Sequence, residues 1–279
     1  MPREEMLQPG NRAVEEGPFD EARSFDEAGA LREYWDADAP TYDLWPEHGA
    51  WTAAERAAWA GTLQRSMGRR GMRVLDVGAG TGFLSLAAAR LGCQVTALDI
   101  SPGMLERLKE AAVRESLQIE TVCAPADHPP PGPFDVIMER LVLWTLPDPG
   151  RALAAWRESA PEGRLLAFEA KTGRDYVEGV KRRARRLLSR VRRVPAEHHA
   201  AYPQELRARL PIRREPWPSG LIMRIEDAGW HAPDLSRLRD VEWARRLAVP
   251  PFERLFGATP EYLITAWSQM AAGPGPRPS

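Results

Sequence analysis

The sequence predicts an α/β protein with a doubly wound, mostly parallel sheet, and three observations carry that expectation. The first is the run Val74-Leu75-Asp76-Val77-Gly78-Ala79-Gly80-Thr81-Gly82-Phe83-Leu84-Ser85, where an apolar stretch holding an acid meets glycine at every second position, then helix formers. The second is Val95-Thr96-Ala97-Leu98-Asp99, a further apolar run ending in an acid. The third is alternation: strand-length runs at 117–123, 134–139 and 164–170 are separated by stretches able to form helices or loops. Strands buried on both faces read as continuous apolar runs, and their alternation with helices is the signature of βαβ units.

Residues 1–18 mix proline, glycine and acids without period and read as a poorly ordered arm. From Phe19 the pattern turns helical, with Phe25, Ala28, Leu31, Tyr34 and Trp35 on one face, followed by Ala39-Pro40-Thr41-Tyr42-Asp43-Leu44-Trp45. Thr52 with Glu55 forms a capping box that starts a helix through Leu63, its apolar side carrying Trp51, Trp59 and Leu63. Ser101-Pro102 starts a helix reaching about Glu115, and Asp148-Pro149 one reaching about Ala160.

Four regions follow: 1–50 as an arm and lid helix, 51–170 as the core, 171–236 as a cap, and 237–279 as terminal strands with a disordered tail. Val241–Leu247 is expected as the sixth strand and Tyr262–Trp267 as the last. In the cap, the basic run 181–193 is interleaved with Val177, Val180, Ala184, Leu187, Val191 and Val194 at helical spacing. It reads either as an amphipathic helix with a solvated basic face or as the receiver of an anionic substrate.

Composition excludes several classes. The 38 basic and 39 acidic residues nearly cancel, which argues against a polyanionic partner such as nucleic acid. Two cysteines, Cys93 and Cys123, build neither a disulfide framework nor a zinc site, so no metal is expected and a reduced, cytoplasmic setting is the default. No stretch has the length and apolarity of a signal peptide or a membrane span.

The chemistry concentrates at the glycine run. Alternating Gly78, Gly80 and Gly82 lets the backbone take positive φ and approach a ligand closely. The acid Asp76 would repel a pyrophosphate beside a helix N-terminus but welcome a cation. Asp99 stands where doubly wound nucleotide-binding folds hold two ribose hydroxyls. A ligand with a ribose and a positive charge but no phosphate fits S-adenosylmethionine. These residues resemble the first motif and ribose-binding acid of the class I S-adenosylmethionine-dependent methyltransferases, with the likeness running from about Trp51 to Ala170.

That resemblance implies a Rossmann-like, seven-stranded sheet with an antiparallel last strand. It implies cofactor contacts at Asp76, Gly78, Gly80, Gly82, Asp99 and Ile100. The family's Gly-Asp-Ala after the third strand is replaced by Cys123-Ala124-Pro125-Ala126-Asp127, leaving either Asp127 or backbone groups to meet the adenine. Glu139 at the end of the fourth strand, with Arg140 and Trp144 after it, faces the expected site, and the resemblance counts Glu139 and Arg140 among the cofactor contacts. Tyr42 either contacts cofactor or substrate or packs a lid, and His128 reads as a surface loop residue.

Methyl transfer from a sulfonium is an in-line displacement in which alignment and water exclusion dominate, so a base matters mainly for oxygen or carbon acceptors. Glu139 leads the catalytic candidates, followed by Tyr42 and Glu169, with Tyr176, His198 and His199 also considered. The resulting expectation is methylation of an O, N or C atom of a small molecule in bacterial secondary metabolism, with self-association left open. The alternatives are a nicotinamide oxidoreductase, disfavoured by Asp76 and the glycine spacing, and a non-catalytic S-adenosylmethionine-binding protein.

Overall fold

The computed structural model describes residues 26–44, 48–49, 52–68, 70–170, 202, 204–210, 216–248 and 260–269. Seven strands form one sheet: β1 (Arg73–Val77), β2 (Gln94–Asp99), β3 (Ile119–Cys123), β4 (Val136–Arg140), β5 (Arg164–Ala170), β6 (His231–Arg237) and β7 (Glu261–Trp267). Their order is β3-β2-β1-β4-β5-β7-β6. Strands β1 to β5 pair in parallel, whereas β7 runs antiparallel to both β5 and β6. The chain begins at β1, moves out to β3 and returns to β4, so strand order reverses between β1 and β4. Ligands in open α/β sheets bind beyond the carboxyl ends of strands at such a reversal.

Helices cover both faces. On one lie α2 (Ala53–Met67), α3 (Phe83–Arg90), α4 (Pro102–Arg114) and α8 (Arg239–Ala248); on the other lie α5 (Pro149–Ser159) and α7 (Ser219–Asp227). Two further helices, α1 (Glu27–Asp38) and α6 (Gln204–Ala208), meet at the carboxyl edge through Leu31, Tyr202 and Leu206. Trp59 and Phe168 fill the first face, and Trp156 and Trp230 the second; all four are buried. The indole N–H of Trp156 donates to Ala126 O, and that of Trp230 to Leu153 O, so neither ring buries an unmade hydrogen bond.

The caps read from the sequence are present. Thr52 Oγ1 accepts from Glu55 N while Glu55 Oε2 accepts from Thr52 N, and Ser101 and Asp148 cap α4 and α5 ahead of their prolines. The sixth strand differs from expectation. Val241–Leu247 lies within helix α8, because Leu238, Val241 and Ala244 recur at three-residue spacing and bury one stripe. The sixth strand is His231–Arg237, all but its last residue inside the stretch expected as cap. Pro233 falls where the register with β7 shifts between His231 and Asp234, and Ala232 takes φ 49, an irregularity an edge strand tolerates. Expectations for residues 1–25, the basic run 181–193 and the tail from 272 lie outside the described residues.

Candidate functional site

The site is built first from the turn between β1 and α3. Gly78 and Gly80 take φ 63 and φ 56, conformations a side chain would resist, and the turn closes through Gly82 N donating to Ala79 O. A Cβ at Gly80 would sit 4.0 Å from Tyr42 Cε1, so the aromatic ring borders the turn. Asp76 is buried at the end of β1 and accepts a hydrogen bond of 2.5 Å from Ser85 Oγ. Asp99, at the end of β2, accepts from Gly80 N at 2.8 Å and from Ser101 N at 2.9 Å. Burial raises the Asp76 carboxyl to about 7 and the Asp99 carboxyl to about 6, against the pull of those hydrogen bonds.

The turn is covered from the amino-terminal side. After α1 the chain makes a single 3₁₀ turn, Tyr42–Leu44, over the glycines. Asp43 Oδ1 accepts from Thr81 Oγ1 at 2.6 Å, and Asp36 Oδ1 accepts from Ser101 Oγ at 2.5 Å and Gly103 N at 2.8 Å. Tyr42 stacks on His48 with ring centroids 3.8 Å apart, and burial of its hydroxyl pushes it up to about 12. Beside it Tyr34 stacks on Tyr202 at 4.2 Å, and Trp144 meets Tyr202 edge-on at 6.0 Å. Ile100 packs into this aromatic cluster.

The strand ends supply the remaining groups. Arg140 lies over Phe83 at 4.4 Å and pairs with Glu261 at 3.4 Å. Glu261 also pairs with Arg245, which in turn reaches Glu55 at 3.6 Å. On the opposite face Glu139 is buried, its Oε2 accepting from Val142 N at 2.9 Å, and Glu169 is 4 % exposed. Burial drives both carboxyls above the ordinary range, and the charge of Glu139 pushes Glu169 further.

The structure thus gathers Asp76, Gly78, Gly80, Gly82, Asp99, Ile100 and Tyr42 around one turn. Arg140 borders it from the far side of β4, its charge pulling on the Tyr42 hydroxyl while its guanidinium is engaged by Glu261. Asp127 is held by Arg151 at 3.1 Å and His128 at 2.8 Å, outside that cluster of contacts. The backbone of Ala124, by contrast, is tied to Asp99 through Ala124 N donating to Asp99 O at 3.1 Å. Tyr176, His198 and His199 lie outside the described residues. Sequence reasoning passed over Asp36, Asp43, Thr81 and the Tyr34–Tyr202 stack. Their one legible signal was the pairing of acids with aromatics in Trp35-Asp36 and Tyr42-Asp43.

S-adenosylmethionine fits what the turn offers: glycines with positive φ where the backbone must approach a ligand, the carboxylate of Asp99 at the end of β2 beside them, and net acidity suited to a sulfonium. Among the described residues no group of three or more His, Cys, Asp or Glu is placed to hold a metal.

Comparison with known proteins bears on the same region. Residues 75–167 match the family model described as "Methyltransferase domain". The chain is 34% identical over 128 residues to a ubiquinone biosynthesis O-methyltransferase of Xanthomonas campestris pv. campestris, covering 44% of this chain and 49% of that one. It thus spans about half that relative's length. It is 30% identical over 190 residues to a ubiquinone biosynthesis O-methyltransferase of Xylella fastidiosa, covering 63% of this chain and 68% of that one. Among solved structures, the Burkholderia thailandensis 1,6-didemethyltoxoflavin-N1-methyltransferase, crystallised with 1,6-didemethyltoxoflavin and S-adenosylhomocysteine, is similar with a TM-score of 0.53. It is 20% identical, with 86% of this chain and 88% of that chain covered, a likeness of fold.

Proposed function

Because the chain belongs to the class I S-adenosylmethionine-dependent methyltransferase family, we propose that it transfers a methyl group from that cofactor to a small-molecule acceptor held under the aromatic cover. The observation that carries the reading is Asp99, held by Gly80 N and Ser101 N beside the positive-φ glycine turn. When bound, S-adenosylmethionine supplies a methyl already activated on a sulfonium sulfur. The protein's own tasks are then to bind, align and exclude water.

Asp99 is assigned the ribose hydroxyls, Gly78, Gly80 and Gly82 the close backbone approach, and Asp76 the local negative potential. Ile100 and the backbone at Ala124 are assigned the adenine side, with Asp127 at its margin. Tyr42 is the residue proposed to border cofactor and acceptor together. Arg140 acts from behind it. Glu139 and Glu169 enter as positioning groups and not as a base open to the acceptor, since Glu139 is buried with one oxygen on Val142 N.

An oxygen acceptor on an aromatic ring is the first substrate class to try, supported by the flat faces of Tyr34, Trp144 and Tyr202 and by the names of the relatives. Nitrogen and carbon acceptors complete the series. A setting in bacterial secondary metabolism is part of the proposal, and the neighbouring genes test it. Titration calorimetry should show binding of S-adenosylmethionine and S-adenosylhomocysteine, and labelled methyl should appear in a hydroxylated aromatic. Affinity for NAD with none for either S-adenosyl compound would overturn the reading. Binding without transfer across all three acceptor classes would favour a non-catalytic binder.

A further inference from the structure

The second face of the sheet holds two acids that nothing in the cofactor reading requires. Glu139 and Glu169 are the penultimate residues of β4 and β5, neighbouring parallel strands with Glu139 opposite Ala167. Both follow the alternation of Ile137, Leu165 and Ala167, so both side chains belong to the face covered by α5 and α7. Each has one buried oxygen, Oε1, without a hydrogen-bond partner. The two side chains share one face on adjacent strands, two residues out of step, close enough for the charge of Glu139 to bear on Glu169.

Their surroundings supply little else. Helices α5 and α7 present Ala152, Leu153, Leu221 and Ile225 to this face, and the acid Asp76 of β1 bears on Glu139 only by its charge, from the opposite face. Arg140 is the cation bearing on both, from β4 itself, and its guanidinium pairs with Glu261 beyond the other face. Two ionised carboxylates so placed would repel each other, and among the described residues no cation pairs with either. One proton removes the repulsion and supplies a short, charge-assisted O–H···O hydrogen bond for the two unpartnered oxygens.

We propose that Glu139 and Glu169 work as one unit, an acid and a carboxylate sharing a single proton between their Oε1 atoms, and that this unit positions the turn at Val142–Leu143. The charge that remains is held by Val142 N, at the start of the 3₁₀ turn Leu143–Thr145. Val142 is thereby pressed onto Gly78, where a Cβ would strike its side chain, and Trp144 is held beside Tyr202. The unit therefore connects the second face to the glycine turn on one side and to the aromatic cover on the other.

The test needs no acceptor. In protein labelled with ¹³Cδ-glutamate, the two carboxyls should titrate as a coupled pair with one proton retained at neutral pH. In Glu139→Gln the amide replaces the acid and donates to the remaining carboxylate, so Glu169 should titrate in a single, lower step; Glu169→Gln should do the same to Glu139. Each single variant should bind S-adenosylhomocysteine within about threefold of the parent, whereas the double variant, lacking the anion that holds the turn, should bind roughly tenfold or more weakly. Independent titration of both groups in the ordinary carboxylate range overturns the proposal. So does a Glu169 titration unchanged by Glu139→Gln, or a double variant binding as tightly as the parent. The role of the turn in binding rests on the methyltransferase reading, but the coupled titration does not. A coupled pair in a protein that binds no S-adenosyl compound would therefore overturn that reading and leave the shared proton standing.

Discussion

The two faces of the sheet meet the same problem at the carboxyl ends of β4 and β5 and solve it in opposite ways. On the face of α2, α3 and α8, buried charges alternate in sign, from Arg140 to Glu261 to Arg245 to Glu55. On the face of α5 and α7, Glu139 and Glu169 lie on neighbouring strands, and among the described residues no ion pair is made to either. The consequence is visible in one residue type. Burial acts on Glu261, but the neighbouring Arg140 and Arg245 charges and their hydrogen bonds outweigh it and hold its carboxyl below the usual range. Burial holds Glu139 and Glu169 above it. A buried acid is stabilised either by a counter-charge, which keeps it ionised, or by a proton, which leaves it able to titrate near neutrality.

The largest expected effect breaks the paired face. Glu261→Ala leaves Arg140 and Arg245 without their shared partner, and removal of one member of a buried ion network costs about 3–5 kcal/mol. Urea unfolding should show that loss, and Glu139→Gln, an isostere of the protonated acid, should cost far less at the same pH. The reverse ranking would show that the two faces are not differently satisfied.

Next in size is Asp99→Ala. Hydrogen bonds to a charged group contribute about 1.5–3 kcal/mol each, so losing the carboxylate proposed to hold the ribose should weaken S-adenosylhomocysteine roughly a hundredfold. Calorimetry reads this directly. An affinity unchanged by the substitution would move the ribose elsewhere and leave Asp99 as a clamp between Gly80 and Ser101.

How much of this was legible beforehand follows from where the physics was local. The glycine turn, Asp76 and Asp99 could be read because strand, acid and positive-φ turn are contiguous in the chain, and the caps of α2, α4 and α5 could be read for the same reason. Glu139, Arg140 and Glu169 could be placed at strand ends, but not assigned to faces with their partners. Glu261 and Arg245 come from β7 and α8, more than a hundred residues after Arg140 in the chain. Helix α8 was misread as a strand because Val241–Leu247 is short and mixed in character. Strand β6 was hidden by Pro233 and the register shift beside it. The Asp43 and Asp36 latches were hard to read, their one signal being the aromatic beside each acid, because a short acid in a lid has no period.

The acids near the turn add a pH dependence whose sign can be fixed. Asp76 at about 7 and Asp99 at about 6 both stand above their ordinary 3.8. Between those limits the folded chain binds more protons than the unfolded one, so stability is greatest at the acid end and falls as pH rises, by up to about 1.4 kcal/mol per unit for each group. Asp76→Asn should flatten that slope in urea titrations between about pH 4 and 7. Affinity for a cationic cofactor should run the other way, rising as these carboxyls ionise. Binding enthalpies that vary with buffer ionisation heat would detect the protons released. A neutral-pH affinity for S-adenosylmethionine that is insensitive to this window would mean that the cofactor does not sense these acids.

The smallest expected effect lies in the cover. The bond from Thr81 Oγ1 to Asp43 Oδ1, 2.6 Å long, ties the 3₁₀ turn at Tyr42 to the glycine loop at an exposed position of the lid. Such a bond contributes about 1 kcal/mol, so Asp43→Ala should accelerate S-adenosylhomocysteine dissociation about fivefold in stopped-flow displacement while leaving urea stability nearly unchanged. Asp36→Ala should act on both quantities, because Asp36 also accepts from Ser101 Oγ and Gly103 N at the start of α4. The pair of variants therefore separates a latch from a helix cap. If Asp43→Ala lowered stability as much as Asp36→Ala, the turn at Tyr42 would be part of the folded core and not a cover over the site.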